Sequence, residues 1–186
     1  MQQLCKIYFI QKPQYLHCFL FDNGISNTIT PFIFMKDVIL VSGQANSGKS
    51  STLRMLYTRL CEIQPEHTFN GKEVPRCQIP DSSYEDDFFA VFSSINGKRI
   101  GIASNGDYKG EFERVFSIMK DEIDILICAS RSVNTAGSVR EYIFNSLPQQ
   151  GFKVKFNLNT FFCIEADRIP MRSNICDLII LHLTKK

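Results

Sequence analysis

Eight residues, Gly43-Gln-Ala-Asn-Ser-Gly-Lys-Ser50, constrain this chain more than any other feature. The run Val38–Val41 leads straight into them, and its apolar, partly β-branched character reads as a buried strand. Ser50–Ile63 follows, with Leu53, Leu56, Leu60 and Ile63 on one helical face, and Pro65 stops the helix. In such a strand–loop–helix passage the first amides of the helix have no carbonyl partners. They point, with the positive end of the helix dipole, at whatever the loop encloses. Gly43 and Gly48 allow the turn and a close backbone approach. This is the local chemistry of an anion cradle.

The pattern Gly-x-x-x-x-Gly-Lys-Ser resembles the Walker A loop of the P-loop nucleoside triphosphatase superfamily. The resemblance implies a nucleoside triphosphate with Mg²⁺ as ligand. Lys49 would then reach the β and γ phosphates, Ser50 would coordinate the metal, and Ser51 would bond the α phosphate. Asn46 and Ser47 would offer mainly their backbone amides. From residue 37 to 147 the order of elements is similar to that of small GTPases. Their Asp-x-x-Gly is replaced here by Ala103-Ser-Asn-Gly106, and no Asn-Lys-x-Asp occurs. With no guanine-reading motif, ATP rather than GTP is the default by cellular abundance.

Further along, residues 64–87 read as a long loop with Pro65, Pro75 and Pro80, ending in the acidic cluster Glu85, Asp86 and Asp87. Phe88–Ile95 and Arg99–Ala103 flank Asn96-Gly97, a hairpin signal. Glu111–Met119 is helical, Ile123–Ala129 is a second buried strand, and Ser138 caps a helix that Pro148 ends. Strand material returns at Phe152–Asn157 and Thr160–Glu165, and Asn174–Leu183 leans to helix. This alternation predicts an α/β fold, a three-layer α/β/α sandwich of the P-loop NTPase kind. Its central sheet should be mainly parallel, with one antiparallel strand from the hairpin. Residues 1–34 lack a steady period, include a turn over 22–29, and read as an N-terminal extension to a nucleotide-binding domain over 35–186.

A P-loop enzyme places a carboxylate at the end of another strand. Here Ile100–Ala103 runs into Ser104-Asn105-Gly106-Asp107. Asp107 is the candidate metal-facing acid, and a helix N-cap is its other reading. Ser104 and Asn105 could act through water. Ser130 and Arg131 end the second buried strand and belong near the phosphates if that strand neighbours the first. Arg131 would stabilise migrating phosphoryl charge. Glu165 and Asp167 are weaker candidates on the same rim. The catalytic set is therefore Lys49, Asp107 and Arg131, and the metal set is Ser50 and Asp107.

Composition narrows the function classes. The chain has 186 residues and a net charge of +2, too small to argue for nucleic acid or an anionic membrane. No apolar stretch reaches the roughly 18 residues of a membrane span. Seven cysteines, without a Cys-x-x-Cys ladder, suit a reducing cytoplasm better than a disulfide framework. Two functions remain. One is phosphoanhydride hydrolysis or phosphoryl transfer. The other is a nucleotide-dependent switch with little turnover, meeting a protein partner through residues 1–34 or the hairpin edge. The displaced carboxylate favours the switch, and Lys49 with Ser50 favours the enzyme.

Overall fold

The computed structural model describes residues 35–78, 86–133 and 135–185, with the backbone of five short strands between residues 9 and 33. The chain divides into two compact units, Met1–Met35 and Lys36–Lys186. The first holds β1 (Phe9–Lys12), β2 (Tyr15–Cys18), β3 (Phe21–Asp22), β4 (Ile25–Ser26) and β5 (Phe32–Ile33). β2 pairs antiparallel with β1 and with β5, and β3 pairs antiparallel with β4. The turn expected over 22–29 lies mostly outside the described residues. So do the side chains on which a partner surface in residues 1–34 would rest.

The second unit runs β6 (Lys36–Gly43), α1 (Lys49–Ile63), β7 (His67–Phe69), β8 (Lys72–Val74), β9 (Phe89–Ile95) and β10 (Lys98–Ala103). It continues with α2 (Lys109–Met119), β11 (Ile125–Arg131), α3 (Val139–Asn145), β12 (Phe152–Asn159) and α4 (Glu165–Thr184). The strands form one seven-stranded sheet in the order β12-β6-β11-β10-β9-β7-β8. The fold is α/β.

The alternation of side chains along each strand explains why both faces are covered. Ile39 and Val41 of β6, with Ile125, Ile127 and Ala129 of β11, pack with α1 and α4. Val38 and Leu40, with Leu126 and Cys128, pack with α2 and α3 on the other face. Leu53, Leu56 and Leu60 are fully buried on the predicted stripe of α1, each contributing about 1.5–3 kcal/mol. Ser138 caps α3 as its sequence predicts: its hydroxyl accepts from the Glu141 amide at 3.1 Å. Among the described residues, no helix is long and apolar enough to cross a membrane.

The sheet is more mixed than the sequence suggests. Three neighbouring pairs are parallel (β12–β6, β6–β11, β11–β10) and three are antiparallel (β10–β9, β9–β7, β7–β8). The extra hairpin comes from the segment read as a loop. Asn70 (φ 48°) and Gly71 (φ 80°) make a second Asn-Gly turn between β7 and β8. The predicted turn at Asn96-Gly97 has the same positive φ values, 52° and 75°. β7 pairs with Ala90–Phe92 of β9, so that stretch of the hairpin edge named as a docking surface is covered. Glu85 of the acidic cluster lies outside the described residues.

The carboxy-terminal third also departs from its pattern. β12 ends at Asn159, and residues 160–164 are irregular where a further strand was expected. α4 begins at Glu165 rather than Asn174 and contains Pro170. Its first residues, 165–170, are all exposed, so the Ala166 carbonyl that loses its helical donor to Pro170 can bond water.

A buried polar relay closes the far end of α1. His67 Nδ1 donates to the Pro65 carbonyl (2.7 Å), which leaves Nε2 as acceptor in the neutral ring. The Tyr57 hydroxyl donates to it at 2.7 Å and accepts from the Gln78 amide at 2.9 Å. Burial holds the His67 pKa below its ordinary value, opposed by the bond to Pro65. As pH falls the unfolded chain therefore takes up this proton first. Stability is full above about pH 7, falls through about pH 6.5, and levels off only below the depressed folded pKa. Urea midpoints at pH 7, 6 and 5 should fall for the native protein and fall less for His67→Gln. An equal slope would remove His67 as the cause, since His182, also lowered by burial, has the same sign in both proteins.

Candidate functional site

The loop 43–50 leaves β6 and enters α1 at Lys49. Gly48 sits in the left-handed region (φ 90°), which glycine adopts without strain, and no side chain caps the helix. The first-turn amides are therefore open to an anion. Thr160, just past β12, holds the loop from below. Its amide donates to the Ser42 carbonyl (2.7 Å), and its hydroxyl shares a hydrogen bond with Ser47 Oγ (2.7 Å). A Cβ on Gly43 would meet Thr160 Oγ1, Ser47 Oγ and, at 2.6 Å, the Thr160 carbonyl. Glycine is needed at 43 for this close approach. Lys49 Nζ donates to the Gln44 carbonyl at 2.8 Å, across the mouth of the loop.

Above the loop lies a cavity of about 310 Å³. Asn46 and residues 48–51 form one wall, Asp87, Ser104, Gly106 and Asp107 another, and Arg172 of α4 closes a third side. This volume is at the lower end of ligand clefts. It suits a phosphate tail, with the remainder of a nucleotide outside.

Electrostatics differ across the cavity. Lys49 is 7% exposed. Burial lowers its pKa, and the nearby Asp107 charge works against that. Asp107 is held by Arg131 Nε at 2.9 Å, and that hydrogen bond lowers its carboxyl pKa against partial burial. Asp87 is pushed the other way, chiefly by burial, while its hydrogen bond from Ser104 Oγ (3.0 Å) opposes the rise. The two carboxyls on one wall are thus unlike: one firmly ionised, the other more readily protonated.

The residues singled out from sequence separate into two groups. Asn46, Gly48, Lys49, Ser50, Ser51 and Asp107 all line the cavity. Gly43 and Ser47 lie beneath it and shape the loop. Arg131 stands at the end of β11, which directly neighbours β6 with Arg131 opposite Gly43, and reaches the cavity only through Asp107. Ser130 is buried and bonded to the Arg131 carbonyl. Ser104 acts through Asp87, and Asn105 is buried. Glu165 and Asp167 are not strand-end acids; they are exposed in the first turn of α4, away from the cavity lining.

Mg²⁺ prefers oxygen ligands in octahedral geometry and keeps several waters. Ser50, Asp87 and Asp107 offer hard oxygen donors around one space. Among the described residues no group of three His, Cys, Asp or Glu side chains forms a metal cage of its own. The donor set fits a Mg²⁺ held largely by phosphate oxygens and water.

The chain matches no protein-family model, no curated protein and no solved structure. The site must be read from its own atoms, and two of its residues were not foreseen. Asp87 was legible in principle. Folding the chain back at Asn96-Gly97 pairs Phe89 with Ala103, so Asp87 must lie beside the end of β10. Arg172 carried no local signal, because α4 starts before its apolar period does.

Proposed function

We propose that this chain is a P-loop nucleotide-binding protein that holds the phosphate tail of a nucleoside triphosphate, with ATP as the default base. The supporting observation is a single cavity that joins Lys49, the uncapped first turn of α1, Ser50 and Ser51 to two carboxylates on the facing wall. Helices on both faces of the sheet are compatible with the three-layer P-loop architecture. Seven cysteines without a Cys-x-x-Cys ladder favour a reducing compartment such as the cytoplasm.

Ser50, with Asp107 or Asp87, would hold Mg²⁺, which would supply charge neutralisation at the phosphate tail. Lys49 and the loop amides would bind and orient the tail. Asp87, held by Ser104, would position water. Arg131 would keep Asp107 ionised and placed, a supporting role in hydrolysis or phosphoryl transfer.

The second reading, a switch with little turnover, draws on one feature: β10 ends at Ala103 and is followed by Ser104 and Asn105 rather than by an acid, and the acids come from neighbouring segments. One experiment addresses both readings. In a thermal-shift panel of ATP, GTP, ADP and GDP with Mg²⁺, at least one triphosphate at a hundred times its Kd should stabilise the fold by about 2.7 kcal/mol. For a chain of this size that is a rise of roughly 5–10 °C. No rise with any nucleotide would overturn the proposal. Multiple-turnover phosphate release with the stabilising nucleotide marks the enzyme, and its absence marks the switch.

A further inference from the structure

Arg172 is the unexplained charge of the site. Its Nε is buried and has no hydrogen-bond partner. Among the described residues no carboxylate forms an ion pair with it. Its head group lies against the loop itself: a Cβ built on Gly48 would be 3.1 Å from both Nε and Nη2. Lys49, the positive end of α1 and this guanidinium therefore converge on one cavity. Asp107 on the facing wall offsets the Lys49 charge, whereas no described carboxylate pairs with the guanidinium, so an anion held in the loop would be its partner. A guanidinium offers a fork of N–H donors that matches two phosphate oxygens.

The placement of Arg172 is fixed by the turn that follows it. Arg59 of α1 reaches Asp177 at 2.7 Å and Ser173 Oγ at 2.8 Å. Cys176 is buried against the Thr52 carbonyl (3.5 Å). Residues 173–177 thus anchor α4 to α1. The residues ahead of Arg172 are held less firmly: 165–170 are exposed, and Pro170 interrupts their hydrogen bonding.

We propose that Arg172 is a second cationic grip on the phosphate tail, through which the amino-terminal turns of α4 sense whether the loop is loaded. The proposal rests on the phosphate-loop reading, so its test separates the two. Calorimetric titration with sodium tripolyphosphate and Mg²⁺ is run on the native protein, Arg172→Gln, Arg172→Lys and Lys49→Ala. Arg172→Gln should weaken binding at least about tenfold, with Arg172→Lys in between, because a point charge replaces the fork. The ligand-free melting temperature of Arg172→Gln should stay level or rise, since the head group it removes has no partner. In the native protein, tripolyphosphate should slow amide exchange over residues 165–172, and in Arg172→Gln it should not.

Native affinity in Arg172→Gln, with binding lost in Lys49→Ala, overturns the grip and leaves the phosphate loop standing. Native affinity in Lys49→Ala removes the loop reading itself. An Arg172→Gln protein that fails to fold, or melts several degrees lower, also overturns the grip, because the residue would then be structural.

Discussion

If the proposed function holds, Lys49→Ala should weaken triphosphate binding at least about a hundredfold and leave the fold in place. Lys49 is buried as a residue, lines the cavity, and has its ammonium bonded within the protein to one loop carbonyl, Gln44. Its removal takes away a buried cation whose partner, in the proposed function, is the bound anion. Breaking such a pair costs about 3–5 kcal/mol, which is at least about a hundredfold in affinity. The folded state loses one charge-assisted hydrogen bond and regains the cost of burying the charge, so the two effects on stability oppose each other. Titration with the stabilising nucleotide checks the binding, and a thermal melt of the free protein checks the fold. An affinity within threefold of native would mean that Lys49 does not touch the ligand.

Gly43→Ala has the largest expected effect on the fold. The new methyl group meets three atoms at once, and one of them, the Thr160 carbonyl, is backbone. Neither side can yield easily. Gly43 ends β6, and Thr160 is tied to Ser42 by its own amide, one residue beyond the Asn159–Ser42 pairing of β12 with β6. Overpacking of this kind costs about 1–3 kcal/mol, and the backbone collision puts it at the upper end. At roughly 2–4 °C per kcal/mol, the melting temperature should fall by about 6–12 °C. Nucleotide stabilisation should be lost as well, because Ser47 must leave its place. Gly110→Ala is the control. Its Cβ would enter open space in α2, so the substitution should be neutral or stabilising. A Gly43→Ala protein that melts with the native one would show that the loop and Thr160 can separate freely.

Legibility in this sequence follows the range of the forces. The passage from β6 through the loop into α1 is local: apolar run, glycines and helical stripe each declare themselves within a few residues. The β7–β8 hairpin was missed because its arms, His67–Phe69 and Lys72–Val74, are too short to show alternation and are half polar. The start of α4 was hidden for a related reason. Exposed turns carry no apolar period, and Pro170 argued against a helix that forms nonetheless. Asp87 reaches the cavity through antiparallel pairing, and Arg172 through the packing of α4 on α1. Tertiary contacts of that kind leave no periodic trace. Asp107 was singled out because it lies in the short loop after β10, yet its bond to Arg131 needed β10 and β11 to be neighbours.

Thr160 has a consequence beyond packing. By joining the end of β12 to both Ser42 and Ser47, it gives the cradle its curvature before any guest arrives. A flexible glycine loop would have to surrender conformational freedom at the moment of capture and would bind more weakly for it. Here that entropy is lost once, when the chain folds. In the proposed function, arriving phosphate oxygens would meet amides already aimed, and the encounter would not have to wait for the receptor to take shape.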